Sequence, residues 1–165
     1  MKRDNRLISK FMKLKLKKKA PNFKLPSTSG KIFELRKIKK NIVIYFYPKD
    51  DTPGCTLESI DFSKLNNIFK KKETLVIGIS KDSIESHLKF QSKYKLKFHL
   101  LSDEKLSVIK KYGAWGKKTF LGKKYMGVIR STFLITSKGI IYKIWSNVRV
   151  KDHANEVLAE LKKIA

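Results

Sequence analysis

The single cysteine of the chain, Cys55, lies in the segment Thr52-Pro53-Gly54-Cys55, directly after a turn. Thr52 suits the N-cap of a helix and Pro53 suits its first position, so Cys55 is predicted in the first helical turn. Backbone N–H groups in that turn have no intrahelical acceptor, and the helix dipole adds partial positive charge. Both effects stabilise a thiolate, the nucleophilic form of cysteine. The spacing favours a reactive thiol, with a structural core cysteine as the alternative.

The rest of the sequence narrows the chemistry open to this thiol. There is no Cys-x-x-Cys pair, which disfavours a dithiol oxidoreductase of the thioredoxin kind. A cysteine protease would need a histidine base. His87, His99 and His153 are scattered over predicted helices and a strand, and are interpreted as surface or core residues. They have no metal-ligand spacing, so we predict no metal site and no cofactor.

Cys55 follows a segment that is predicted to be a buried strand. Residues 41–48, NIVIYFYP, form an unbroken apolar run typical of a central strand covered on both faces, and Pro48 ends it. Residues 55–71 follow helical spacing. Their predicted apolar side comprises Leu57, Ile60, Leu65, Ile68 and Phe69.

The remaining predicted elements alternate along the chain. Hairpins are predicted over 22–35 and over 130–145, the second turning at Ser-Lys-Gly. Further strands and helices are predicted over 74–80, 83–95, 98–102, 104–113 and 152–164, the last capped by Asp152. This order favours an α/β fold with a mixed central sheet flanked by helices, and a thioredoxin-like architecture fits it.

Composition limits the class of protein. With 165 residues and 41% hydrophobic residues, the chain suits one soluble domain with a real core. The net charge of +25 suggests polyanion binding, but only five of the 39 basic residues are arginines and the lysines are spread along the chain. We therefore predict no specific nucleic-acid partner and no membrane partner, and the charge opposes self-association, which favours a monomer.

The N-terminal segment differs from the rest. Residues 1–19 form a dense basic leader or tail without the apolar core of a secretory signal, and Met12 is an alternative start. The predicted domain is therefore residues 20–165.

The segment around the cysteine resembles the peroxiredoxins. PKDDTPGCTLE matches their Pro-x-x-x-Thr-x-x-Cys pattern, and YFYPKDDTPGCTLE is similar to the Q-type branch, also called bacterioferritin comigratory protein. Residues 100–135 resemble the second half of that branch in order and spacing. The resemblance extends from about residue 20 to the C-terminus and implies a thioredoxin-like fold.

The resemblance also implies roles for individual residues. Cys55 would be the peroxidatic nucleophile, converted by a hydroperoxide to a sulfenic acid. Thr52 would hold the peroxide, Pro48 would shield the site, and Arg130 would stabilise the thiolate and the charge developing on oxygen. The surrounding residues would be Glu58, which would brace the arginine, Gly54 in the turn, and Trp115, which either lines the site or belongs to the core. Read alone, Pro48 could simply end a strand, Thr52 could be only a cap and Arg130 a solvated charge.

One departure from the family pattern concerns recycling. Many Q-type members carry a resolving cysteine five residues after the first, where this chain has Ile60, and residues 83–95 contain none either. The resemblance therefore implies a one-cysteine peroxidase that uses an external thiol such as thioredoxin, glutaredoxin with glutathione, or a small thiol. The missing export signal and the resemblance favour a bacterial cytoplasm. A peroxide sensor, or a basic polyanion-binding or chaperone protein on the same scaffold, are the alternatives.

Overall fold

The computed structural model describes residues 16–164, in which nine strands and five α-helices are found. In chain order these are β1 (Lys24–Pro26), β2 (Ile32–Glu34), β3 (Asn41–Phe46), α1 (Pro53–Lys64), α2 (Asn66–Lys71), β4 (Thr74–Ser80), α3 (Ile84–Lys93), β5 (His99–Ser102), α4 (Ser107–Lys111), β6 (Trp115–Phe120), β7 (Lys123–Val128), β8 (Ser131–Ile135), β9 (Ile141–Trp145) and α5 (His153–Leu161). A 3₁₀ turn, Leu35–Lys37, follows β2.

Five strands form the central sheet in the order β5-β4-β3-β8-β9. β3, β4 and β5 are parallel, whereas β8 and β9 add antiparallel strands on the other side of β3. The apolar run NIVIYF therefore lies at the centre of the sheet, as its composition predicts. The mixed sheet of the sequence prediction is confirmed.

Hydrophobic clusters cover both faces of this sheet. Ile42, Ile44 and Phe46 of β3 point to the face covered by the β1–β2 hairpin and α4. Val43 and Tyr45 point to the opposite face, where α1, α2, α3 and α5 pack. The alternation follows from the two-residue period of a strand, and it makes every position of β3 after the first a core position.

Tyr45 fixes α1 on the sheet. Its ring stacks on Phe62 with centroids 4.9 Å apart, and its hydroxyl forms a 2.8 Å hydrogen bond with Ser59 Oγ. Gly78 of the neighbouring strand leaves room for this ring, because a Cβ there would lie 2.7 Å from Tyr45 Cζ. The position of the helix that begins beside Cys55 thus depends on a tyrosine and on a glycine facing it.

The helix predicted over 55–71 is in fact two helices that meet at Leu65. Ser63 Oγ accepts a hydrogen bond from the Lys97 backbone N–H at 2.9 Å, and Asn66 Nδ2 donates to the Lys97 carbonyl at 3.2 Å. These bonds to a segment more than thirty residues away hold the break in place. Local helical spacing could not reveal them.

The apolar side predicted for this helix is only partly confirmed, because Phe69 is buried and Leu65 packs partly buried against the core. Leu57 and Ile68 are exposed. The buried side chains of α1 are instead Cys55, Glu58, Ser59 and Phe62, which share a face at helical spacing. Three of them carry polar atoms that are buried because partners elsewhere in the fold bind them.

Some of the remaining predicted elements are confirmed, and others are wrong or were missed. The hairpins over 22–35 and 130–145 and the strands over 74–80 and 98–102 are confirmed. The β6–β7 hairpin, a separate two-stranded sheet, was not predicted from periodicity. Asp152 does occupy the N-cap of α5, but with φ of 60° and no side-chain capping bond, so its predicted capping role is wrong.

The predicted basic leader lies mostly outside the described residues. The end of the leader and the first residue of the predicted domain pack along the β8–β9 connection. The N–H groups of Lys17 and Ala20 donate to the carbonyls of Ile141 and Gly139, both at 2.9 Å. The division between residues 1–19 and 20–165 stays a prediction.

Candidate active site

Cys55 lies in the first turn of α1, where the sequence places it. Thr52 occupies the N-cap with extended backbone angles, Pro53 is the first helical residue, and the Thr56 N–H donates to the Thr52 carbonyl at 2.8 Å. The thiol is only 1% exposed. The predicted helix start is therefore confirmed, and the thiol that it carries is buried.

Arg130 reaches this thiol from the segment before a neighbouring strand of the sheet. It directly precedes β8, the strand beside β3, and its Nη2 lies 3.3 Å from Cys55 Sγ. Its Nη1 donates to Glu58 Oε1 at 2.7 Å, so the guanidinium bridges the cysteine and the glutamate one turn later. The structure thus brings together Cys55, Glu58 and Arg130, which are up to 75 residues apart in the chain.

Electrostatics make the carboxylate of this group unusual. Burial raises the pKa of Glu58 to about 7, although the charge and hydrogen bond of Arg130 oppose the rise. Its second oxygen, Oε2, is buried and has no hydrogen-bond partner among residues 16–164. Burial disfavours the charge of Arg130, but Glu58 and Cys55 outweigh that cost and raise the pKa of the guanidinium. The arginine therefore stays a cation beside the sulfur.

The turn residues shape the approach to Cys55. Thr52 Oγ1 donates to the Lys49 carbonyl at 2.9 Å and makes no capping bond to the helix, so the side-chain half of its predicted N-cap role is wrong. Its lone pairs remain able to accept a hydrogen bond. Gly54 lies under the arginine, since a Cβ there would be 3.3 Å from Arg130 Nη2. Pro48 is half-buried in the same loop, two residues after β3 ends.

Trp115 was predicted either to line the site or to belong to the core. It begins β6, packs partly buried against the cluster on the face of the sheet opposite to Cys55, and has Lys110 Nζ 5.8 Å from its ring centroid. Its predicted place in the lining of the site stays a prediction.

An anchoring network that sequence reasoning missed holds the loop between β3 and α1. Asp50 is buried and accepts from the Tyr47 hydroxyl at 2.6 Å and from the Ser86 hydroxyl at 2.8 Å. Its Oδ2 also lies 2.7 Å from Nδ1 of His87 on α3, whose Nε2 lies 2.9 Å from the Leu101 carbonyl. The loop that carries Pro48 and Thr52 is thereby tied to a neighbouring helix and strand.

A second set of bonds ties the same loop to the end of α3. Asp51 has a left-handed φ of 58° and pairs with Lys93 Nζ at 2.7 Å and with the Tyr94 hydroxyl. The Asp50 N–H also donates to Asp82 Oδ2 at 2.9 Å. The only sequence signal for this network is the pair of acids before Thr52, whose partners other than Tyr47 lie 32 or more residues away and have no recognisable spacing.

The histidines behave as interpreted from the sequence. His87 and His153 are buried, whereas His99 is exposed and hydrogen-bonds to Thr28. His87 does lie with Asp50 and Asp82 so that one ligand atom of each falls within 4.8 Å of the others, but these atoms already bind the loop, Ser80 and Ser86. Burial, and then Arg130, lower the pKa of His153 to about 4, so that ring is neutral at pH 7.

The chain is similar in sequence to proteins of one known family. The AhpC/TSA family model matches residues 16–144. The chain belongs to the AhpC/TSA family. Within that family it is a Q-type peroxiredoxin: peroxiredoxin Bcp of Bacillus subtilis is 43% identical over 152 residues, 92% of this chain and 97% of that protein.

Solved structures of the AhpC/TSA family extend the comparison. A Xanthomonas campestris bacterioferritin comigratory protein, whose structures address alkyl peroxide reduction, is 38% identical with a TM-score of 0.80, covering 85% of this chain and 90% of that one. A cysteine-to-serine variant of Xylella fastidiosa PrxQ has a TM-score of 0.84 at 34% identity, covering 89% and 94%. The thioredoxin-like fold predicted from the sequence is confirmed.

The cysteine content separates this chain from one of these relatives. The Xanthomonas campestris protein has been studied with either of two cysteines replaced by serine, whereas this chain has one cysteine in its whole sequence. Within residues 16–164, no helix combines the length and apolar character needed to cross a membrane.

Proposed function

We propose that this chain is a thiol-dependent peroxidase in which Cys55 reduces hydrogen peroxide and organic hydroperoxides. The observation that carries the proposal is the 3.3 Å contact between Arg130 Nη2 and Cys55 Sγ, held by the Glu58 bridge. A free thiol reacts slowly with peroxide because it must lose its proton and then push electrons into the O–O bond. A fixed cation and a helix N-terminus assist both steps without rearranging during the reaction.

The first step converts Cys55 to a sulfenic acid. The thiolate attacks the terminal oxygen of the hydroperoxide, an S–O bond forms and the O–O bond breaks. The leaving alkoxide or hydroxide takes up a proton and departs as alcohol or water. During this step negative charge shifts from the sulfur to the leaving oxygen. Arg130 stabilises that developing charge, because its hydrogen-bond donors are already in place before the reaction.

The turn residues position the peroxide. Thr52 Oγ1 already donates to the Lys49 carbonyl, so it accepts the hydrogen bond of the peroxide O–H. Pro48 limits water near the sulfur, and Gly54 allows the arginine to lie over the helix N-terminus. The 1% exposure of the thiol fits a substrate as small as a terminal O–O group.

The second step needs a thiol from outside the chain, because the sequence holds no second cysteine. A reductant thiol attacks the sulfenic sulfur, forming a mixed disulfide and releasing water. A second thiol then attacks the mixed disulfide and returns Cys55 to the reduced form. Thioredoxin, glutaredoxin with glutathione, or a small thiol can supply these two thiols.

Two further parts of the proposal concern the state of the protein. We place it in the cytoplasm of a bacterium, where such thiol reductants are available. We also propose a monomer, because a net charge of +25 opposes self-association.

The test is the rate of Cys55 oxidation. The second-order rate constant for thiol loss with hydrogen peroxide at pH 7 is expected to exceed that of a free thiol by several orders of magnitude. Arg130→Ala should remove most of this gain, whereas the exposed Arg149→Ala should not. Wild-type reactivity equal to that of a free thiol would refute the peroxidase and favour a polyanion-binding role.

A further inference from the structure

Exposed apolar side chains concentrate on the β6–β7 hairpin. Four of the nine large apolar residues exposed within residues 16–164 lie on it: Phe120 (66% exposed), Leu121 (86%), Tyr125 (47%) and Met126 (50%). They lie in or beside the two-residue turn Leu121–Gly122, at the end of a hairpin that pairs with no other strand within the described residues. We call residues 117–126 the hairpin patch. An apolar group of this kind on an otherwise polar surface marks a site of interaction.

The hairpin patch is also strongly basic. Lys117, Lys123 and Lys124 are exposed, and none lies within salt-bridge distance of a carboxylate among residues 16–164. Residues 115–128 contain no acidic residue at all. An apolar centre with unpaired lysines around it is complementary to a protein surface that has an apolar centre and an acidic rim.

The second strand of the hairpin leads to the arginine that contacts the thiol. β7 ends two residues before Arg130, whose Nη2 contacts Cys55 Sγ. Lys118 of β6 donates to the Val128 carbonyl at 2.9 Å. Its ammonium group interacts electrostatically with Arg130 and Cys55. Burial lowers the pKa of Lys118, Arg130 lowers it further and Cys55 raises it. A protein that rests on the hairpin patch is therefore on the strand pair whose base leads to Arg130 and Cys55.

We propose that the hairpin patch docks a protein dithiol reductant with an acidic rim around its reactive thiol. This inference rests on the peroxidase function proposed above. With one cysteine in the chain, the mixed disulfide must form directly between Cys55 and the reductant, so the partner has to be held against this site. The reductant gains a disulfide, Cys55 returns from sulfenic acid to thiol, and the sulfenic oxygen leaves as water. An anionic lipid surface would also suit lysines and an apolar tip, but it supplies no thiol.

The first test removes charge from the hairpin patch. Stopped-flow measurements follow the reduction of peroxide-oxidised Cys55 by a thioredoxin of net negative charge, and separately by dithiothreitol. The triple variant K117Q/K123Q/K124Q is expected to react about tenfold more slowly with thioredoxin at low salt, with the difference shrinking as salt rises. Its rates with dithiothreitol and with hydrogen peroxide should stay unchanged.

A matched triple variant controls for net charge. K70Q/K71Q/K72Q removes the same charge from exposed positions, of which Lys71 and Lys72 line a pocket with Asn41, at the start of β3 and away from Cys55. It should change the thioredoxin rate less than twofold. An equal loss in both triple variants would overturn the docking proposal in favour of a general charge effect.

The second test removes the apolar tip. The double variant F120T/L121N keeps a strand residue at 120 and places asparagine, which tolerates the left-handed φ of 50°, at 121. We expect an approximately tenfold slower thioredoxin reaction that salt does not alter, and an unchanged dithiothreitol reaction.

Several outcomes would overturn docking while leaving the peroxidase intact. Unchanged thioredoxin rates in both hairpin variants would do so, as would losses of equal size with dithiothreitol. Binding of the wild type, but not of the variants, to anionic phospholipid vesicles with unchanged thioredoxin rates would assign the patch to lipid. Failure of the peroxidase itself would appear separately, as slow oxidation of the wild-type Cys55 by peroxide.

Discussion

Glu58 lies with one carboxylate oxygen 2.7 Å from Arg130 Nη1, and its other oxygen is buried with no hydrogen-bond partner in the described part of the chain. The pair therefore orients the arginine toward Cys55 at the cost of a buried carboxylate. Such an arrangement has consequences for stability as well as for reactivity, and these can be measured.

The first prediction concerns stability against pH. The folded pKa of Glu58, about 7, lies above its ordinary value of 4.5, so folding favours the protonated form. The resulting stability is fully present below about pH 4.5 and is lost as pH rises through about 7. At about 1.4 kcal/mol for each pH unit, the loss is on the order of 3 kcal/mol. Glu58→Gln should abolish this part of the loss.

The measurement is the melting temperature of wild type and Glu58→Gln between pH 4 and 8. For a domain of this size the wild type should lose several degrees relative to the variant over that range. Parallel pH profiles for the two proteins would contradict the raised pKa.

The second prediction concerns the anchored loop. Asp50→Asn should destabilise the protein by about 2–4 kcal/mol, because it disrupts a buried network with His87, Ser86 and Tyr47. Asp51→Asn should have a much smaller effect, since its partners are exposed. Urea unfolding of the two variants, which differ by one position in the same loop, measures the contrast. Equal effects would show that the buried network does not anchor the loop.

The third prediction concerns the glycine under the arginine. Gly54→Ala places a methyl group 3.3 Å from Arg130 Nη2, the atom that contacts Cys55 Sγ, so the guanidinium must shift by a few tenths of an ångström relative to the sulfur. The rate of Cys55 oxidation by hydrogen peroxide should fall about tenfold. The unfolding free energy should change little, because the displaced atoms end a long side chain. A normal oxidation rate would mean that the position of Arg130 matters less than its charge.

The fourth prediction separates packing from chemistry. Gly78→Ala brings a methyl group within 2.7 Å of Tyr45 Cζ and 3.0 Å of Leu100 Cδ2, both fully buried. Overpacking of this kind should cost about 1–3 kcal/mol. Chemical denaturation gives the cost, and Gly54→Ala serves as the comparison because it crowds only the end of a side chain. A Gly78→Ala variant as stable as wild type would show that Tyr45 repacks without cost.

The sequence predicts the position of the thiol in the fold better than it predicts which distant residues contact the thiol. The N-cap, the proline and the cysteine are neighbours in the chain, so capping rules place the thiol in the first turn of a helix. Arg130 was assigned only through family resemblance, because nothing in a strand-flanking arginine indicates a contact 75 residues away.

The error about the face of α1 has the same origin. Periodicity assigns apolar residues to the core, but Glu58 and Ser59 are buried and hydrogen-bond to Arg130 and Tyr45. A helix that carries an active site buries its polar residues, and its hydrophobic pattern then indicates the wrong side. The β6–β7 hairpin was missed for a related reason, since lysines interrupt the alternation of its strands.

The position of Arg130 also bears on how the protein is made. Cys55 emerges from the ribosome long before Arg130, and the two meet only after β8 has paired with β3. Because Ala20 binds the turn that follows β8 and Lys17 binds the start of β9, the N-terminal segment is likewise secured only at that stage. With the role proposed for Arg130, a nascent chain carries an ordinary, slowly reacting thiol throughout most of its synthesis. Its sensitivity to peroxide develops only when folding is almost complete.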